Sequence, residues 1–221
     1  MAVPGLVIFD CDGVLVDSEP ISMRVLTASI NRLGIPMTEA EVRATFLGSS
    51  LERVEREVSL RLGRPVPDGW IDEFIAVRRR AFEAELRPVA GARDAVEGVR
   101  ALGWEACIAS QGRPAKMRQT LGLTGLADAF APERIFSATM VARGKPAPDL
   151  FLHAAACCGV EPERCVVVED SPTGVRGARA AGMRVLAYVG PGRTGDEALA
   201  LAAAGAEVIH DMRDVPARIA A

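Results

Sequence analysis

Histidine is nearly absent. His153 and His210 are the only two in 221 residues, so no multi-imidazole metal site can form, and a Ser-His-Asp triad would depend on one of these two. His153 falls in the apolar helical run LFLHAAACCGV and His210 lies near the C-terminus, and both read as structural. Lysine is equally scarce: Lys116 and Lys145 are two of 26 basic residues, which marks a lysine in a special context for notice. No CxxC pair occurs among Cys11, Cys107, Cys157, Cys158 and Cys165. Their odd number and apolar surroundings read as reduced core cysteine in a cytoplasmic protein. There is no basic excess either. A net charge of −3 provides no field for nucleic acid or an anionic membrane, both of which are bound by clustered Lys and Arg. The N-terminal MAVPGLVIFDCDG lacks a basic n-region, and its apolar run is far too short to span a bilayer, so it is expected to form a strand.

What is present suits a compact globular chain. Hydrophobic residues make up 49% and charged residues 25%, ordinary for a globular protein, and the length admits one domain plus a modest second one. Short β-branched runs recur at 3–10, 104–110, 134–138, 165–170, 184–189 and 206–211. They are apolar almost throughout, as in strands covered on both faces. Helical stretches between them (91–99, 113–121, 149–158 and 172–181, with Gly103, Gly122, Gly159 and Gly182 where C-caps belong) predict βαβ crossovers and a doubly wound parallel α/β sheet. Residues 17–86 break this rhythm. They hold four helical patterns, ISMRVLTASINRLG, EAEVRATF, LERVEREVSLRL and GWIDEFIAVRRRAFEAEL, with hardly any strand signal. The expected organisation is an α/β core from 1–16 and 87–221 with a helical insert at 17–86, placed to act as a lid over the carboxyl end of the first strand.

Acidic pairs end two of the strands. IFDCDG puts Asp10 and Asp12 two residues apart at the end of the first run, a pattern that suits metal binding plus acid/base work but also fits a plain turn. VVVEDSPTG puts Glu169 and Asp170 at the end of the fourth run, where they could instead serve as a helix N-cap with a favourable dipole interaction. In a parallel sheet both pairs share one rim. Four clustered carboxylates need a compensating cation, and hard oxygen donors point to Mg²⁺ rather than zinc or iron. Ser110, in IASQG, could bind a phosphate with the amides that follow, or simply cap a helix. Lys145, in RGKPAPD, could neutralise phosphoryl oxygens, or be a solvated surface lysine.

DCDGVLVDSEP, the Ser110 strand end, GKPAPD and VVVEDSPTG, in that order around a helical insert, resemble the four motifs of the haloacid dehalogenase superfamily with a helical cap after the first motif. The resemblance spans essentially the whole chain and leans toward the sugar-phosphate phosphatases and β-phosphoglucomutase-like proteins. It implies that Asp10 is the nucleophile that becomes an aspartyl phosphate and Asp12 the acid/base. Asp10, the Asp12 carbonyl and Asp170 would hold Mg²⁺, with Glu169 supporting that shell, while Ser110, Gln111 and Lys145 would bind the phosphoryl group. Dehalogenation is disfavoured because Asp12 is present, and phosphonoacetaldehyde hydrolysis because residues 17–86 contain no lysine. A mutase is the main alternative. Its cap carries a histidine where Ser22 stands here, and basic residues where this chain reads FLGSSL. A catalytically idle Mg²⁺-binding or partner-binding module is a further alternative. Substrate choice is expected in the cap, at Ser49, Ser50 and Arg53 (or, for Arg53, a surface pair with Glu57), and at Glu19. The expected partner is a small phosphorylated metabolite, most simply a sugar, polyol or sugar-acid phosphate, and the expected state a monomer or weak homodimer.

Overall fold

The computed structural model describes residues 4–220; Val3, at the head of the first strand-like run, lies outside the described residues. The six runs become β1 (Leu6–Phe9), β2 (Glu105–Ser110), β3 (Ile135–Ser137), β4 (Cys165–Glu169), β5 (Arg184–Tyr188) and β6 (Glu207–Ile209). They form one sheet in the order β3-β2-β1-β4-β5-β6, every neighbouring pair parallel. All residues of β1 and β4 are buried, which explains why their sequences are continuously apolar rather than alternating. From β1 the order runs outward in both directions, so the β1/β4 boundary is the switch point at which open α/β sheets bind ligands. The ends of β1, β2 and β4 carry Asp10, Ser110 and Glu169 to one rim.

Helices α1 (Glu19–Arg32), α2 (Glu39–Phe46), α3 (Leu51–Leu62), α4 (Trp70–Glu85) and α5 (Ala92–Ala101) precede β2, and α6 (Pro114–Leu123), α7 (Asp149–Cys158), α8 (Pro172–Ala180), α9 (Gly195–Ala203) and α10 (Val215–Ala220) follow it. Leu150 and Phe151 of α7, with Val175 and Ala178 of α8, pack into one apolar cluster with Ile8, Val167 and Val185 of the sheet. Each large side chain so buried stabilises the fold by roughly 1.5–3 kcal/mol.

Three expectations need correction. Gly122 does not end α6: the helix continues to Leu123, and Gly125, at φ +69°, takes the left-handed position, closed by the Leu126 amide donating to the Leu121 carbonyl at 2.9 Å. Helices α9 and α10 were not expected, although Thr194 and Glu197 form a capping box at the start of α9. The cysteines are not uniformly core, since Cys157 is exposed and Cys158 half-buried at the end of α7.

The chain divides into two compact units, one carrying the sheet (through Asp17 and again from Arg87) and one comprising Ser18–Leu86. In the second unit, α1 packs on α2 and α4. Arg24–Glu85, Arg32–Glu73 and Arg43–Glu19 pairs lie on its surface at 2.8, 3.3 and 3.5 Å. Thr38 and Glu41 cap α2, and Ser50 caps α3. Among the described residues no helix is long and apolar enough to cross a membrane.

Candidate active site

Asp10 continues the ladder just beyond β1, its amide donating to the Val168 carbonyl of β4 at 2.9 Å. It is therefore fixed on the switch point, and the residue is only 7% exposed. Lys145 Nζ sits 2.5 Å from Asp10 Oδ1 and 2.5 Å from Glu169 Oε1, making one buried cation the bridge between the ends of β1 and β4. Lys145 is not a solvated surface lysine: it is buried and stacks its ammonium over the Phe151 ring at 5.0 Å. Gln111 holds the same residue from outside, its Oε1 accepting from the Lys145 amide at 3.1 Å. Ser110 is buried, and its hydroxyl accepts from the Gly112 amide at 3.1 Å, shaping the turn after β2.

The other oxygen of Glu169 accepts from the amides of Asp170 and Ser171 at 3.0 and 3.1 Å and from the Ser171 hydroxyl at 3.0 Å. Glu169 thus faces the start of α8, where the helix dipole favours negative charge. Two glycines make the room. A Cβ on Gly174 would fall 1.9 Å from the Glu169 carboxylate, and one on Gly13 would fall 2.3 Å from Asp170 Oδ2, with Gly13 also at φ +80°.

Two cations at this rim were not assigned from the sequence. Lys116 Nζ donates to Asp12 Oδ1 at 2.7 Å, and Arg193 donates from Nη1 to Asp170 Oδ2 and from Nη2 to the Asp170 carbonyl, both at 2.8 Å. Lys116 is marked in the sequence only by the scarcity of lysine, and Arg193, in the segment GPGRTG after β5, carries no motif signal. Each of the four carboxylates thus has a side-chain cation on it, Lys145 serving both Asp10 and Glu169. Burial pushes the Asp10 carboxyl well above its usual range, Lys145 opposes this, and Glu169, Asp12 and Asp170 add to it. Burial also works against the Lys145 ammonium, but Asp10 and Glu169 outweigh it and hold its pKa above the ordinary lysine value.

Among the described residues no group of three or more His, Cys, Asp or Glu side chains is gathered closely enough to hold a metal ion; the carboxylates are held by Lys116, Lys145 and Arg193. The donor chemistry still suits a hard cation. The carboxylates of Asp10, Asp12, Glu169 and Asp170 and the backbone carbonyls beside them offer oxygen alone, the donor set that hard divalent cations take.

The remaining predicted residues lie in the helical unit. Glu19 is paired with Arg43. The Ser50 hydroxyl accepts from the Arg53 amide at 3.3 Å, and the Ser49 hydroxyl is buried without a hydrogen-bond partner. Arg53 is exposed, and no ion pair to Glu57 is present among the described residues.

A family model for haloacid dehalogenase-like hydrolases matches residues 4–182. The chain belongs to that family. It is 33% identical over 183 residues to the 6-phosphogluconate phosphatase of Escherichia coli (strain K12), covering 82% of this chain and 81% of the relative. It is 40% identical over 233 residues to the β-phosphoglucomutase of Mycobacterium bovis (strain ATCC BAA-935 / AF2122/97), covering 91% and 87%. A crystal structure of a haloacid dehalogenase family hydrolase from Deinococcus radiodurans R1, with bound phosphate and sodium, superposes with a TM-score of 0.80 at 31% identity over 99% of this chain and 96% of that one. Haloacid dehalogenase membership thus rests on both sequence and fold.

Proposed function

We propose that this hydrolase is a Mg²⁺-dependent phosphatase acting on a small phosphorylated sugar, polyol or sugar acid through a phosphoryl group carried on Asp10. The observation that carries the reading is the placement of Asp10 at the switch point, with Asp12 two residues on and Lys145 and Lys116 on their respective carboxylates. The sheet unit is the catalytic body, and Ser18–Leu86 is the cap that selects substrate, with Glu19, Ser49, Ser50 and Arg53 as its candidate contacts.

In the first step Asp10 attacks phosphorus and the bond to the substrate oxygen breaks, while Asp12 gives that oxygen a proton. In the second, Asp12 takes a proton from water as it attacks the aspartyl phosphate, and inorganic phosphate leaves. Lys145 and the donors around Ser110 and Gln111 orient and neutralise the transferring group. The work is mostly positioning and charge stabilisation, as in phosphoryl transfer generally. Asp10, Asp170 and the Asp12 carbonyl would hold Mg²⁺, which would supply further neutralisation of the phosphoryl oxygens. Glu169 supports this set by anchoring Lys145 and the Asp170 and Ser171 amides that lead into α8.

A phosphomutase is the second reading, favoured by the 40% identity to the M. bovis β-phosphoglucomutase. Against it, Ser22 is buried and the loop FLGSSL carries no charge, leaving no cap cation there to hold a second phosphate. The test is phosphate release from sugar phosphates, sugar-acid phosphates, nucleotides and β-glucose 1-phosphate, with Mg²⁺ or EDTA, for wild type and Asp10→Asn. Mg²⁺-dependent release that disappears in the variant supports the phosphatase. Glucose 6-phosphate without free phosphate makes it a mutase, and silence throughout returns the idle module.

A further inference from the structure

Lys116 stands where local preference opposes it. Helix α6 begins at Pro114, so Lys116 lies in its first turn, at the end where the helix dipole favours anions, and no acid accompanies it there. Its ammonium lies on Asp12 instead, Nζ donating to Oδ1 at 2.7 Å across 104 positions of sequence. A residue that breaks a local rule in order to make a distant contact points to function rather than to helix design.

Packing brings the helix to this point. Thr120, four residues on and on the same face of α6, has its Oγ1 4.0 Å from the Cys11 sulfur, and both residues are buried. Consecutive residues of the loop after β1, Cys11 and Asp12, thus meet Thr120 and Lys116, one turn apart on α6. The turn after β2 borders the second oxygen of the acid, since a Cβ on Gly112 would lie 3.6 Å from Asp12 Oδ2. The Lys116 and Asp12 side chains are 21% and 24% exposed, so the pair sits at the rim with one edge toward solvent.

General acid–base transfer needs a carboxyl held within hydrogen-bond reach of the atom that gains or loses the proton. Asp12 precedes Gly13, at φ +80°, on a loop rather than a strand, and its carboxyl has two torsions to settle. The bond to Lys116 fixes one of its oxygens against a helix packed on that loop.

We propose that Lys116 is the positioning residue of Asp12, tying the carboxyl to the first turn of α6 so that it meets the leaving oxygen in the first step and the attacking water in the second. The inference rests on the phosphatase reading and divides the labour of the two lysines: Lys145 bears on Asp10, and Lys116 bears on the group that carries the proton.

The experiment compares wild type, Lys116→Met and Lys116→Arg with Mg²⁺ on two substrates, the sugar phosphate that the wild type hydrolyses best and 4-nitrophenyl phosphate. A sugar alkoxide needs a proton to leave; nitrophenolate does not. Lys116→Met is expected to lose on the order of a hundredfold in kcat/KM on the sugar phosphate and less than about threefold on the nitrophenyl ester. Nitrophenolate should then appear in a burst, because the water step, in which Asp12 takes the proton, limits turnover. Lys116→Arg should recover most of the sugar-phosphate rate. Lys116→Ala repeats the comparison if Lys116→Met does not fold. Equal losses on both substrates, or none on either, overturn the proposal. Asp10→Asn and Asp12→Asn separate the two ways of failing: loss in both beside an undiminished Lys116→Met sinks the positioning role alone, whereas activity that persists in Asp10→Asn sinks the phosphatase reading and this role with it.

Discussion

Arg193 grips Asp170 at two points, the side-chain oxygen Oδ2 and the backbone carbonyl, each at 2.8 Å. The two side chains are 8% and 5% exposed, so water screens the pair little. Removing the guanidinium strands a buried carboxylate, which typically costs about 3–5 kcal/mol. In a chain of this size each kcal/mol moves the melting temperature by roughly 2–4 °C. Arg193→Gln is therefore expected to melt well below wild type without metal and to recover on adding Mg²⁺, with a larger metal-induced rise than wild type shows. Equal melting curves without metal would mean the pair does not form in solution.

Gly174 leaves the space that the Glu169 carboxylate occupies. Gly174→Ala must displace that carboxylate, and Lys145 with it. A displacement of about 1 Å in such a site lowers turnover on the order of a hundredfold. Wild-type kcat in a variant with unchanged circular dichroism would show that the Glu169–Lys145 bridge is dispensable.

The raised Asp10 pKa gives metal binding a pH dependence. Burial and the neighbouring acids keep a proton on Asp10 at pH values where an ordinary carboxyl has lost it, and a metal must displace that proton. Mg²⁺ affinity should rise as pH climbs through this elevated range, with protons released on binding. Titration calorimetry in buffers of different ionisation enthalpy checks this; a binding heat independent of buffer rules it out.

Glu207 predicts an acid limb of stability. Arg184 on β5, at 2.8 Å, and Arg218 on α10, at 2.9 Å, hold its carboxyl below the usual range. A depressed acid contributes stability above its unfolded pKa and loses it as pH falls through the folded value. Because Glu207 is 35% exposed, solvent screening keeps the contribution below about 1 kcal/mol. Denaturant midpoints should fall between about pH 5 and pH 3 by slightly less in Glu207→Gln than in wild type, and identical slopes would show the contacts to be inert.

How legible the molecule was depended on sequence distance. The six strands showed as apolar runs because both faces of the sheet are covered, and Asp10, Asp12, Glu169 and Asp170 stood out because they end such runs. The cation partners did not. Lys116 reaches Asp12 across 104 positions and Arg193 reaches Asp170 across 23, and no local pattern records a pairing made by tertiary packing. The half-exposure of Cys158 was hidden for a similar reason: an apolar helical run has no mark for the point at which its last turn leaves the core.

The junction of the helical unit has its own consequence. Asp17 donates its amide to the Arg87 carbonyl at 3.0 Å, and Val16 bridges Pro88, so the chain leaves the sheet unit and returns to it at adjacent points. The closure entropy of the excursion grows only with the logarithm of its length. The sheet is thus indifferent to how many residues the detour contains, and the 18–86 segment can lengthen, shrink or be exchanged for another as a module while the strand register beneath it stays the same.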